Sequence, residues 1–321
     1  MTLSKTRSTP QGPLAARAAR RQARRPVNAL APSHRGDAKI AWILIAPAAL
    51  GFLVFAVYPT LRGIYLSFTD FRLLSAPTWI GFQNFVDLAH DGTFWQSLGI
   101  TVYFVVLAVV MTLIISILTA AVLHRVTSST LVRGLIILPF LISGVVAATV
   151  FAWMLDAQLG IVNVVVQAFG GHGIRFLTSR EWAIPSLAVI HVWKNMGYTS
   201  IIIFAGLQTI PTSIYEAGRI DGASETKMFF RLTLPLLRPI LALVLVLNVI
   251  GAFQVFDIVS VATKGGPANA SNVLQMYIYQ KAFGQFDFGY ASAMSLALFV
   301  ILIIITFLQM RLLRANESDT D

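Results

Sequence analysis

Apolar positions in this chain gather into long runs, and the polar positions fall between them. Runs at residues 41–61, 98–123, 134–155, 182–207, 240–261 and 291–310 are each long enough, as helices, to cross a hydrocarbon layer of about 30 Å. The fourth is interrupted by Lys194 and the fifth carries Asp257 near its end. The pattern predicts an all-α integral membrane protein of six transmembrane helices spread over residues 38–314. Between the fourth and fifth runs lies a polar island, residues 209–239, too organised for a passive connector.

Composition agrees. Hydrophobic residues make up 56% of 321 and charged residues 12%, more apolar surface than a soluble core of this size can hide. With zero cysteines there is no disulfide framework and no thiolate metal site, and His34, His90, His124, His172 and His191 show no ligand-like spacing. The net charge of +10 invites a nucleic-acid reading, but the basic residues crowd the N-terminal tail and the loops flanking apolar runs. That distribution encodes membrane orientation, and no nucleic-acid partner is expected.

If the N-terminus is cytoplasmic, 17 Lys and Arg residues fall on that side and six on the other, with Lys194 inside the membrane. Removing the nine that precede the first run still leaves eight against six. The bias places both termini and the polar island in the cytoplasm. Residues 1–37 have too little apolar surface to fold and read as a disordered basic tail, and 315–321 as a short cytoplasmic tail. The Arg-rich, acid-poor N-terminus also fits an organellar transit peptide, but a bacterial topogenic tail is the simpler reading, and it lacks the apolar stretch of a secretory signal.

Within the island, Ser213-Ile214-Tyr215-Glu216 fits a capping box that starts a short helix running to Asp221. Gly222 can then take a left-handed turn. A second helix over 223–233 places Met228, Phe229 and Leu232 on one apolar stripe flanked by Lys227 and Arg231, and Pro235 and Pro239 lead into the fifth run. An exposed stripe of this kind wants a partner. The alternative is an interfacial hairpin with Phe229 and Phe230 among lipid headgroups.

At Glu216-Ala217-Gly218, Gly222 and Leu232-Thr233-Leu234-Pro235 the chain resembles the permease subunits of bacterial ATP-binding-cassette (ABC) importers of the carbohydrate type. Gly218 departs from that family's Glu-Ala-Ala loop. The similarity continues through Trp193-Lys194-Asn195, Ala205-Gly206-Leu207-Gln208, Ile210-Pro211, Thr263-Lys264-Gly265-Gly266-Pro267 and Tyr277-Ile278-Tyr279, nearly everything from the third run onward. The resemblance implies a type I importer permease fold in the bacterial cytoplasmic membrane, with a cytoplasmic coupling-helix loop. It implies as partners a cytoplasmic ATPase dimer, a second permease subunit, an extracytoplasmic solute-binding protein and a sugar or polyol cargo. ATP and Mg would be used by the ATPase, no cofactor being bound by this chain. Coupling to the ATPase would fall to Tyr215, Glu216, Ala217, Gly218, Asp221, Gly222, Ala223, Phe229 and Pro235.

No G-x-x-x-x-G-K-[ST] motif is present to cradle phosphate, so energy must come from elsewhere, and the chain is not expected to be an enzyme. Ser143-Gly144 with His191 is the nearest approach to a nucleophile and base; each also suits helix packing. Lys194, costly in lipid at about 2.5–3.5 kcal/mol, should face a watery cavity or an acidic partner. Gly197 would let its helix loosen there. Trp193 can stack on a sugar face, and Lys194 and Asn195 can donate to hydroxyls. On the fifth run Asn248, Gly251, Ala252 and Val255 share one face, Gln254 and Asp257 another, and either can line a route. The likeness to maltose-type permeases implies cargo contacts at Phe140, Trp193, Lys194, Asn195, Asn248 and Val255. Asn248 equally suits a bond to a neighbouring helix. A rival class is an ion-coupled secondary transporter titrating Lys194 and Asp257.

Overall fold

The computed structural model describes residues 35–126 and 129–314, so most of the basic tail and the segment 315–321 lie outside the described residues. The chain divides into two units, Met1–Leu61 and Arg62–Asp321. In the first, α1 (Arg35–Phe52) passes through a π-helical turn at Leu53–Val57 into α2 (Tyr58–Leu66). Helix therefore begins at Arg35, inside the segment 1–37 expected to be disordered. From Trp42 to Leu66 it is apolar and long enough to cross a membrane.

The second unit takes in the end of α2 from Arg62 and continues with a two-stranded antiparallel ribbon, β1 (Thr69–Asp70) against β2 (Thr78–Trp79), with Thr69 opposite Trp79. Then come α3 (Gln83–His90), α4 (Gly92–Val126), α5 (Thr130–Leu141), α6 (Gly144–Met154), α7 (Ile161–Ala168) and α8 (Ala183–Leu207). The loop helices α9 (Thr212–Ile220), α10 (Glu225–Met228) and α11 (Leu234–Leu236) follow, with a π-helical turn at Phe229–Thr233. The unit ends with α12 (Arg238–Phe253), α13 (Asp257–Ala262), α14 (Leu274–Tyr279) and α15 (Phe288–Arg314). Among the described residues five helical segments can each cross a membrane, and the bent pair α5 and α6 makes a sixth if taken as one span.

That bend corrects the continuous third helix expected over 134–155. α5 and α6 meet at 90°, because the backbone leaves the helical conformation at Ile142 and Ser143, which are extended, just past Pro139 in the last turn of α5. The fifth span is also interrupted: Gln254 and Val255 follow the end of α12, and the chain resumes helix at Asp257.

α4 is the axis of the unit, packed most extensively on α8 and also on α12 and α14. Its exposed ridge, Val102, Val106, Val110, Ile114, Leu118 and Val122, recurs every fourth residue, a stripe suited to acyl chains and not to water. The opposite face buries Phe104, Ala108, Thr112, Ser116 and Ala120. Small and hydroxyl residues there let helices approach: Ser116 Oγ donates to the Met196 carbonyl on α8 (3.0 Å), and Thr101 Oγ1 accepts from the Leu274 amide (2.8 Å).

Asp91 locks the end of the unit opposite the polar loop. It caps α4, Oδ1 accepting from the Thr93 and Phe94 amides, while Oδ2 accepts from the Tyr277 and Tyr290 hydroxyls at 2.7 and 2.8 Å. Burial alone would raise its pKa, but these hydrogen bonds outweigh it and hold the carboxyl below the ordinary 3.8. Asp91→Ala should cost about 2–4 kcal/mol, read as a lower melting temperature of the solubilised protein, because two buried hydroxyls lose a charged acceptor. The carboxylate's contribution is complete above pH 3.8 and is lost as pH falls through the lower folded value, so acid should erase the difference between wild type and variant.

Candidate functional site

The polar island forms a compact hairpin. α9 starts at Thr212 behind an extended Pro211, with no side-chain cap at its N-terminus, so the capping box expected at Ser213 and Glu216 is not used. Pro211, with its fixed φ, turns the chain directly into the helix and leaves Ser213 in the first turn. At the other end the expectation holds. Gly222 has φ +70°, its amide donates to the Arg219 carbonyl, and the Ala223 amide donates to the Gly218 carbonyl, a Schellman closure.

The second helix begins later than the expected Ala223. Ser224 is its N-cap, accepting from the Lys227 amide at 3.3 Å. The signal was legible as a serine followed by Glu225. The stripe of Met228, Phe229 and Leu232 is not the exposed face expected of it. Met228 is buried, Phe229 and Leu232 are half-buried, and both Met228 and Leu232 lie about the Cα of Gly218: a Cβ there would sit 3.2 Å from Met228 Sδ and from Leu232 Cδ1. Gly218 thus makes room for the second helix and does not flatten an outer surface.

What the hairpin leaves exposed is Glu216, at the rim of a cavity beside α4, Ala217, Asp221 and Gly222, with the apolar side chains of Ile220 and Phe230. Those two were not picked out from the sequence as a pair; only the finished hairpin distinguishes them from the inward stripe. Ala223 and Pro235 are half-buried, and the Tyr215 hydroxyl lies 3.1 Å from Thr233 Oγ1, tying the two arms. Glu225 pairs with Arg125 at the end of α4 (2.8 Å) and with Arg219 on α9 (3.5 Å), so the hairpin is linked to a membrane helix as well as to itself. A cavity of about 440 Å³ separates the two, lined in part by His124, Arg125, Tyr215 and Glu216.

In the membrane, α5 and α8 run antiparallel at very close range. A Cβ on Gly197 would overlap the Ile136 carbonyl oxygen and lie 2.8 Å from its carbon. Gly197 is therefore a packing contact in an unbroken α8, not the loosened point expected. One turn along, Lys194 Nζ donates to the Phe140 carbonyl (3.4 Å) and sits 5.3 Å above the Phe140 ring. Phe140 stacks on Tyr198 at 4.4 Å. No carboxylate lies within ion-pair distance of Lys194 among the described residues, so the acidic partner allowed for it is not present.

The other candidate cargo residues disperse. Trp193 meets Phe151 of α6 edge-on at 5.1 Å, and Asn195 Nδ2 donates back to the His191 carbonyl (2.8 Å). Asn248 Nδ2 donates to the Val244 carbonyl (2.9 Å) and to Thr199 Oγ1 on α8 (3.3 Å), so it joins two helices. Val255 lies past the end of α12 and is buried in the core while Gly251 is exposed, so the shared face expected of Asn248, Gly251, Ala252 and Val255 does not exist. Gln254 opens instead on an apolar groove of about 370 Å³ against Phe299, Ile303 and Phe307. His191 is buried edge-on to Phe104 at 5.5 Å and Ser143 is exposed, with no bond between them. Among the described residues there is no group of three or more His, Asp or Glu that can hold a metal.

An all-α bundle of apolar spans joined by an outward-facing polar hairpin is the architecture of a membrane permease. Residues 112–318 match the model of the binding-protein-dependent transport system inner membrane component, and the chain belongs to that family of ABC importer permeases. It is 34% identical over 286 residues to the sulfoquinovosyl glycerol transport system permease protein of Agrobacterium fabrum, covering 88% of this chain and 92% of that one. It is 35% identical over 275 residues to the lactose transport system permease protein of Rhizobium radiobacter, covering 84% and 92%. Among solved structures it resembles a chain of a bacterial alginate ABC transporter in complex with an alginate pentasaccharide-bound periplasmic protein. There the TM-score is 0.77 at 26% identity, over 88% of this chain and 98% of that one. The fold is that of a type I ABC importer permease.

Proposed function

We propose that this chain is one of two membrane subunits through which an ABC importer carries a sugar or related polyol across the cytoplasmic membrane by alternating access. The observation that carries the reading is the hairpin at 209–239. It is closed by a left-handed Gly222, leaves Glu216, Ala217 and Ile220 exposed, and is tied to α4 through Glu225 and Arg125. Such an element suits a cleft on an ATPase dimer, whose closure would move the hairpin and, through it, α4, α8 and α12. The absence of a phosphate-cradling motif in the sequence agrees with ATP and Mg being handled by that separate subunit. The charge bias supports a cytoplasmic hairpin and cytoplasmic termini. The sugar cargo and the solute-binding partner are supported by the relatives, which serve sulfoquinovosyl glycerol, lactose and alginate.

The test is uptake into proteoliposomes holding this chain, its partner permease and the ATPase, with the binding protein outside. Uptake of a sugar from a panel is expected only with ATP inside. Uptake driven by an ion gradient without ATP would overturn the reading in favour of a secondary transporter.

A further inference from the structure

α4 and α15 each pack on α12 more extensively than on each other, and the wedge between them is a groove of about 630 Å³. Leu113 and Ile117 line it from α4, Leu241 and Val246 from α12, and Met310 and Leu313 from α15. Its volume falls within the roughly 300–1,000 Å³ typical of sites that take small molecules. Met310 also lines the 370 Å³ groove beside Gln254, so the furrow continues along the seam of α12 and α15. Only one of the residues lining the larger groove is charged, and that is Arg238. Its side chain is exposed and makes no hydrogen bond or ion pair among the described residues. Arg238 is also the first residue of the span Arg238–Ala262, so its charge stands at the membrane boundary and the groove runs inward from it. From Arg238 to Val246 a helix rises about 12 Å, close to the depth of one leaflet, about half of a 30 Å hydrocarbon layer.

We propose that this groove binds one anionic phospholipid, its headgroup on Arg238 and an acyl chain between α4, α12 and α15. A lipid satisfies both ends of the site at once. The furrow accepts hydrocarbon, and the planar fork of the guanidinium matches two oxygens of a phosphodiester. A helix of a second subunit could fill the furrow, but it would have to bring its own carboxylate to the mouth. The ammonium of a zwitterionic headgroup competes for the same phosphate, whereas phosphatidylglycerol carries a net negative charge that no acidic lining residue opposes. Arg238 belongs to the segment 209–239, so the lipid adjoins the polar hairpin. On the orientation proposed above it lies in the cytoplasmic leaflet.

The chain contains no cysteine, so Ala242→Cys, in the groove wall, takes a single bimane label. The transporter is assembled in phosphatidylcholine nanodiscs with cysteine-free partner subunits, and brominated phosphatidylglycerol or brominated phosphatidylcholine is added in steps. Half-maximal quenching is expected at a mole fraction of brominated phosphatidylglycerol at least fivefold lower than that of brominated phosphatidylcholine. Leu313→Cys, across the groove, should report the same preference. Arg238→Gln should abolish it and Arg238→Lys should keep part of it. Arg311 is exposed on α15 but turned about 100° from Met310, so Arg311→Gln should leave it unchanged. Equal quenching by brominated phosphatidylcholine in every variant shows that the groove has kept its shape. Equal midpoints for the two lipids, or a preference that survives Arg238→Gln, overturn the site. So does a label that neither lipid quenches, the result expected if a helix of the second subunit covers the groove. The readout needs no transport, so a failed lipid preference leaves the sugar-permease reading standing, and absent uptake leaves the lipid site standing.

Discussion

Gly197→Val should leave almost no folded transporter in the membrane, and even Gly197→Ala should lower its stability by about 3 kcal/mol. Overpacking a core commonly costs about 1–3 kcal/mol, and the low end belongs to sites where a flexible side chain moves aside. Here the obstacle is the Ile136 carbonyl, part of the α5 backbone, so the only relief is to push two helices apart. That movement would also lift Lys194 away from the Phe140 carbonyl one turn further along. Gly206 is the contrasting case on the same helix, because its neighbours are the side chains of Ile240 and Leu237, which can rotate. Gly206→Ala should therefore cost less. The comparison is made on detergent-solubilised protein by thermal melting and recovery of monodisperse material. A Gly197→Ala melting curve equal to wild type would show that α5 and α8 do not pack at this distance.

Gly222→Pro should abolish ATP-dependent uptake, by at least tenfold, without altering membrane insertion. Proline holds φ near −65°, whereas Gly222 has φ +70°, and proline also lacks the amide that donates to the Arg219 carbonyl. The two arms of the hairpin would lose their closure, and the exposed side chains of Ile220 on the first arm and Phe230 on the second would no longer be held in register. Gly222→Ala keeps the amide and pays only the left-handed strain of about 1–2 kcal/mol, so it should retain partial uptake. Glu216→Lys, at an exposed position, should also abolish uptake with the fold intact. Equal amounts of membrane-inserted variant and wild type, with uptake lost, is the expected pair of readings. Normal uptake by Gly222→Pro or Glu216→Lys would remove the hairpin from the coupling path.

Much of the architecture was legible because membrane spans are encoded by length and charge alone. Runs 182–207 and 291–310 correspond closely to α8 and to the interior of α15, since a long, predominantly apolar stretch has no other favourable environment, even with Lys194 inside the first. The left-handed turn at Gly222 was legible too, because a single residue type tolerates that backbone. The capping residues were less so: Ser213 and Ser224 both precede a glutamate, and only the fixed geometry of Pro211 decides that the second caps and the first does not.

Hydropathy could not disclose the break in the third span. Residues 134–155 are apolar throughout, and an apolar run reads the same whether it continues straight or turns by 90° at Ile142 and Ser143. For the same reason the roles of the candidate cargo residues diverged: Asn248 found Thr199, Val255 entered the core, and Lys194 remained beside Phe140. The chain's own composition and order determined that it lives in a membrane, how many times it can cross, and where a hinged polar hairpin interrupts it. Which face of each helix meets a neighbour, and so which polar groups are satisfied by protein and which are left for a ligand, was decided only by packing. Helix contacts in lipid depend on shape and close approach, as at Gly197 and Ile136, and shape is a property of two segments together that neither run of letters contains.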